Sequence, residues 1–217
     1  MKDKEGATKR MSKKRKLSAD DDDDGDTDAG ILQLFKQSGE IYVNNNHIHF
    51  NDDITQHTMF QLAKELRSLA KSLQLRALNF DIPLQPIYLH ISTDGGEISA
   101  AFSLVDCMKS LKVPVYSVVD GFVASAGTLI TLAAEKRFIR PNAYMLIHQL
   151  SSGVWGKMNA IEEQVGNMKK LMKHLTEFYL AHTKLKAKAL ERLLLTDVTW
   201  NAQESIAKGI VDEIYTE

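Results

Sequence analysis

Apolar residues recur along this chain with two periods, and the switching between them sets out the architecture. Residues 41–43 and 47–50 alternate in strand fashion around Asn44-Asn45-Asn46, a turn-rich triplet that predicts a short hairpin. Thr55 then suits a helix N-cap. Behind it Met59, Leu62, Leu66, Leu69 and Leu73 stand at helical spacing. Residues 74–85, with Pro83 and Pro86 at their end, read as a connection. From Ile87 the pattern becomes strand, then helix, repeated: a strand over 87–92, a tight turn at Thr93-Asp94-Gly95-Gly96, a helix over 98–111, a strand over 113–119 and a small apolar helix over 125–134. Such alternation implies an α/β fold with a mainly parallel sheet. A long helix follows over 156–183, with Ile161, Val165, Met168, Met172, Leu175 and Tyr179 near helical spacing. Near the end, Asn201 and Glu204 can form a capping box and Gly209 can stop the helix they open.

The first thirty residues break this pattern. A basic run (Lys9, Arg10, Lys13, Lys14, Arg15, Lys16) meets an acidic one (Asp20–Asp24, then Asp26 and Asp28), with almost nothing apolar between them. A disordered charged tail over 1–30 and one folded domain over 31–217 are therefore expected. A hydrophobic content of 44% over 217 residues is enough for one sizeable core. The net charge of −1 argues against a general nucleic-acid binder. No apolar run approaches a membrane span, so no membrane attachment is expected. Cys107 is the only cysteine. It lies among helically spaced apolar residues and reads as a buried structural thiol in a reducing, cytoplasmic setting. His47, His49 and His57 lack regular ligand spacing and read as surface or turn residues, and no metal is expected.

Two of the predicted turns, at Gly95-Gly96 and at Ser125, fall at the C-terminal ends of parallel strands, where open α/β sheets place their sites. Ser125 sits among small residues in Gly121-Phe122-Val123-Ala124-Ser125-Ala126-Gly127, at the start of a helix whose N–H groups and dipole suit a developing oxyanion. His148 arrives at the end of the next apolar run, Met145-Leu146-Ile147, in position to act as a base. An isolated serine and histidine would more often be a helix cap and a core histidine, so the pair needs support from the rest of the chain. The elbow G-x-S-x-G is absent, because Val123 stands two residues before Ser125. That argues against an α/β-hydrolase.

Ser92-Thr93-Asp94-Gly95-Gly96, the segment around Ser125, Ile147-His148-Gln149 and the stretch from Asn201 to Asp212 resemble, in order and spacing, the proteolytic subunit of the Clp protease (ClpP). The resemblance runs over residues 41–217. It implies the ClpP/crotonase fold, with repeated ββα units, a mainly parallel sheet flanked by helices and a protruding handle helix. It implies Ser125 as nucleophile, His148 as general base and Asp197 as the carboxylate that orients the histidine, with Asp212 and Glu204 as nearby alternatives. Gly96 and Ala126 match the two backbone N–H donors of the oxyanion hole. The activity implied is serine endopeptidase cleavage of unfolded polypeptides, without cofactor, inside a heptameric ring that pairs face to face. An ATP-dependent AAA+ unfoldase would deliver the substrate. Met158, Met168 and Met172 of the long helix would supply an adaptable interface between rings.

Some positions depart from the family pattern. Asp94 stands where a proline commonly precedes the two glycines, and Glu97 follows them in place of an apolar residue. Residues 74–85 look like an insertion, and the family's pore-lining N-terminal segment is not recognisable. Two other functions share parts of the pattern. A catalytically silent ring subunit would assemble with active copies, and a crotonase-type acyl-CoA enzyme would use the paired donors without Ser125 and His148.

Overall fold

A computed structural model describes residues 41–216; the tail expected over 1–30 lies outside them. The predicted hairpin forms from β1 (Tyr42–Asn44) and β2 (His47–Asn51), which pair antiparallel with Asn44 opposite His47. Asn45 in the turn takes a positive φ of 54°, a conformation asparagine tolerates better than most residues. Helix α1 (Gln56–Phe80) starts where Thr55 and Thr58 form a capping box: each side chain accepts from the other residue's backbone N–H, at 3.1 and 2.9 Å.

The helix runs seven residues beyond Leu73, its last buried position, so residues 74–80 are not the connection their pattern suggested. Leu75, Leu78 and Phe80 are exposed there, and it was the loss of apolar periodicity that suggested a break. Nothing in that stretch opposes helix: it is built largely of good formers, and the helix stops only at Asp81 (φ 50°), two residues before Pro83.

The sheet continues with β3 (Ile87–Thr93), β4 (Val115–Ala124), β5 (Lys136–Ile139), β6 (Tyr144–Leu146), β7 (Thr199–Asn201) and β8 (Glu213–Ile214). Its order is β1-β2-β3-β4-β5-β8, with β6 on β4 and β7 on β6. Among the described residues only the β1–β2 and β6–β7 pairings are antiparallel, so the sheet is mainly parallel, as expected. Strand β4 forks. Residues 116–119 pair with β5 and residues 122–124 with β6, and Gly121 (φ 67°) lies between the two registers. The fork carries the last three residues of β4 away from β5 and delivers the chain directly to Ser125.

Helices α2 (Ile98–Ser110) and α3 (Ala126–Ala133) pack in series with α1 over one face of the sheet. The core lies between them, with Ile48, Leu62, Leu66, Leu89, Ile91, Leu104, Leu129 and Ile130 fully enclosed. Helix α4 (Met158–His182) is rooted in this body by its C-terminal third, with Met172 and His174 touching its edge. Leu175, Phe178 and Tyr179 are buried, and the preceding seventeen residues, which include Met158, Met168 and Met172, contribute none. That is the projecting helix the sequence implied. His182, at its end, stacks on Phe178.

The chain closes with α5 (Ala187–Leu194), α6 (Ala202–Ala207) and β8. Asn201 and Glu204 form the predicted capping box. At the other end Gly209 (φ 69°) makes a Schellman stop, its N–H on the Ile206 carbonyl and the Ile210 N–H on the Ser205 carbonyl. Arg137 of β5 ties this end together. Its guanidinium grips both carboxylate oxygens of Asp212 and donates to the carbonyls of His182 and Gly209.

Candidate active site

Strand β4 ends and α3 begins at Ser125, which adopts φ 52° and ψ −123°. For a residue with a Cβ this is strained, of order 1–3 kcal/mol, and such strain persists only where the surroundings fix it. Three hydrogen bonds do so. Ser125 N–H donates to the Leu146 carbonyl of β6 at 2.9 Å. The Ser125 carbonyl accepts from Thr128 N–H at 3.0 Å and from the Thr128 hydroxyl at 2.7 Å. Because the Thr128 hydrogen is engaged there, the Tyr179 hydroxyl, 2.8 Å from Thr128 Oγ1, must be the donor in that contact. Burial pushes the Tyr179 phenol up to about 12, against the opposing pull of the Thr128 hydrogen bond.

The Gly95-Gly96 turn comes up beside the serine. Ile54 bridges it, with N–H to the Gly95 carbonyl and carbonyl to the Glu97 N–H, both at 2.8 Å. Both glycines are required. Gly95 has φ 106°, and a Cβ there would lie 2.7 Å from the Cβ of Ser125; Gly96 has φ 141°, and a Cβ there would collide with the Ile54 carbonyl. Whereas the Ser125 N–H is taken, those of Gly96 and Ala126 have no partner among the described residues.

His148 follows β6 by two residues and is partly buried. Its Nδ1 lies 3.8 Å from Oδ1 of Asp197, just before β7, whose carboxylate is 81% exposed. That separation is longer than a hydrogen bond. The antiparallel β6–β7 pairing brings the two together, with Leu146 opposite Thr199. The two rival carboxylates are engaged elsewhere, Asp212 by Arg137 and Glu204 by the capping box.

Ser125, Ala126, Gly96 and His148 line one cleft of about 760 Å³, together with Asp53, Asp94, Glu97 and, from α4, Met168, Leu171, Leu175 and Tyr179. Among the described residues, three carboxylates and no lysine or arginine border it. Thr128 and Tyr179 escaped the sequence reading. A threonine three residues past a helix-opening serine is a detectable signal, but nothing in the local pattern links it to a tyrosine on another helix. Cys107 is buried in α2 and its thiol is pushed up by that burial, as suits a structural residue.

The Clp protease family model matches residues 42–217. ATP-dependent Clp protease proteolytic subunit 2 of Treponema denticola is 35% identical over 132 residues, which cover 60% of this chain and 66% of that protein, just under two thirds of its length. A solved structure of a point mutant of ClpP1 from Listeria monocytogenes superposes with a TM-score of 0.69 at 26% identity, covering 80% of this chain and 92% of that one. The chain belongs to the Clp protease family.

Proposed function

We propose that this chain is a serine endopeptidase, the proteolytic subunit of an ATP-dependent protease, cutting unfolded polypeptides inside a ring of its own copies. The observation that carries this reading is Ser125 at the strained end of β4, sharing one cleft with His148, whose Nδ1 faces Asp197. Ser125 Oγ attacks the peptide carbonyl while His148 takes its proton through Nε2, the ring nitrogen turned from Asp197. Asp197 holds the imidazole orientation and stabilises the imidazolium. The oxyanion receives the N–H groups of Gly96 and Ala126, and one such donor is worth roughly 3–4 kcal/mol of barrier. His148 then returns the proton to the leaving amine, and water repeats the sequence on the acyl-enzyme.

No metal or cofactor takes part in these steps. An AAA+ unfoldase supplies substrate to a heptameric ring, paired face to face, with the projecting α4 and its exposed Met158 at the junction. Among the described residues no helix is long and apolar enough to cross a membrane. The single buried cysteine suits the reducing cytoplasm. The acyl-CoA alternative fits less well, because among the described residues the cleft offers no lysine or arginine to the phosphates of such a substrate.

The test is covalent labelling by a fluorophosphonate probe, with the adduct located by mass spectrometry. Labelling at Ser125 that disappears in Ser125→Ala and His148→Ala is the expected result. An assembled ring that takes no label, or takes it at another residue, would refute the reading. Native mass spectrometry of the same sample gives the ring size.

A further inference from the structure

The face of the sheet turned away from α1–α3 carries a second group of chemically active side chains that the peptidase reading leaves unused. Strand pairing sets His49 of β2 directly opposite His90 of β3. Asp120 stands two residues beyond Val118, the partner of His90 on β4. Side chains two apart share a face, so His49, His90 and Asp120 emerge together. One ligand atom from each lies within 4.8 Å of the others. His90 Nδ1 is 2.9 Å from Asp120 Oδ2, and the His49 ring stacks on that of His90 with 4.2 Å between centroids.

The other polar atoms of the inner pair are already engaged. His47 Nδ1 meets His90 Nε2 at 3.0 Å, and Arg140 Nε donates to Asp120 Oδ1 at 3.0 Å. These outer contacts turn His90 Nδ1 and Asp120 Oδ2 towards the same point. Without an ion, His90 Nδ1–H donates to Asp120; with that hydrogen moved to Nε2, towards His47, Nδ1 and the carboxylate oxygen are both open to a cation. Metal-bound histidines and carboxylates are held in this manner by outer partners on their remaining atoms. His90 is 3% exposed, so its orientation is fixed, while half-buried His49 leaves a route in from solvent.

We propose that His49, His90 and Asp120 form a binding site for a divalent first-row transition ion, zinc first among them, supported by His47 and Arg140. Two imidazole nitrogens and one carboxylate oxygen suit zinc, and a three-ligand set leaves a position for water. Calcium and magnesium favour sets made wholly of oxygen and are rejected. The ion joins three neighbouring strands through side chains 30 to 71 positions apart in sequence, and its effect is on the rigidity of the sheet. This site stands independently of the peptidase reading.

The experiment uses untagged full-length protein stripped with a chelator and titrated with zinc chloride by calorimetry, with cobalt chloride followed by visible absorption. One zinc per chain and a rise in Tm are expected, with no comparable response to calcium. His49→Ala and Asp120→Asn should each abolish the stoichiometric site and the cobalt spectrum, and His47→Ala should weaken binding by about 10–100-fold. Far-ultraviolet circular dichroism checks that each variant folds, and the two ligand variants act as independent probes should one not. No saturable zinc binding by the unmutated chain would overturn the proposal. So would binding left unchanged by both His49→Ala and Asp120→Asn, which would place the ion elsewhere.

Discussion

The Ser125 elbow and the His90 cluster are both reached by β4, yet they are made of different material. The elbow is built from backbone: strained dihedrals, two glycines that admit no side chain, and N–H groups left open at a strand end. The cluster is built from side chains in mid-sheet, where alternation presents residues from three strands on one face. Backbone sites tolerate little change in chain geometry but accept many side chains around them. The side-chain site depends on a handful of identities and hardly on backbone strain.

The largest expected effect is on the elbow. Ser125→Ala should lower kcat for a fluorogenic peptide by about 10⁶-fold while leaving the fold intact. Asp197→Asn should cost about 10³-fold, short of the about 10⁴-fold found for a buried triad carboxylate, because Asp197 is exposed. Gly95→Ala should destabilise the protein by more than about 1 kcal/mol in urea unfolding, and kcat should fall with it. The same substitution leaves zinc binding at the His90 cluster unchanged if the two sites are as separate as their construction implies. Tyr179→Phe removes the last link of the chain that holds Ser125, and should lower stability by about 1 kcal/mol with a measurable loss of kcat.

The smallest effect belongs to the cluster and follows pH. Burial, and then the neighbouring His90, push the His49 imidazole below its ordinary 6.5. Burial works to raise the Asp120 carboxyl, but His90 and then Arg140 outweigh it and hold the group below its ordinary 3.8. Both groups take up protons more readily in the unfolded chain. The stability each contributes is therefore complete above its unfolded value and is lost as pH falls through its folded one. Urea midpoints should drop between about pH 7 and about pH 5 through His49, and further below about pH 4 through Asp120. His49→Ala should flatten the upper part of that curve, and Asp120→Asn the lower.

The difference between the regions also explains what could be read in the chain. The elbow is legible because its parts are contiguous: Gly95-Gly96, then Ala124-Ser125-Ala126, each in a short motif at a strand end. His47 and His49 read as surface or turn residues because their partners, His90 and Asp120, lie on other strands, and only the register of β2, β3 and β4 brings them together. The strand and helix sequence from Ile87 onward followed from periodicity. The last turns of α1 did not, since residues 74–80 form helix while exposing the apolar side chains that would have marked it. Tyr179 was legible as a core position of α4 but not as a support of Ser125. Its partner is 51 residues away, and their meeting depends on how α4 seats on α3.

Strand β8 sets a limit on when this fold can be finished. It pairs with β5, and Asp212 just before it is the residue through which Arg137 secures the ends of α4 and α6. During synthesis every other strand emerges earlier, so β5 waits with one edge uncovered while more than seventy further residues are added. A nascent chain halted before Asp212 would hold the serine and the histidine yet leave the guanidinium of Arg137 without its anion. Competence as a protein, in this chain, is reached only at its last strand.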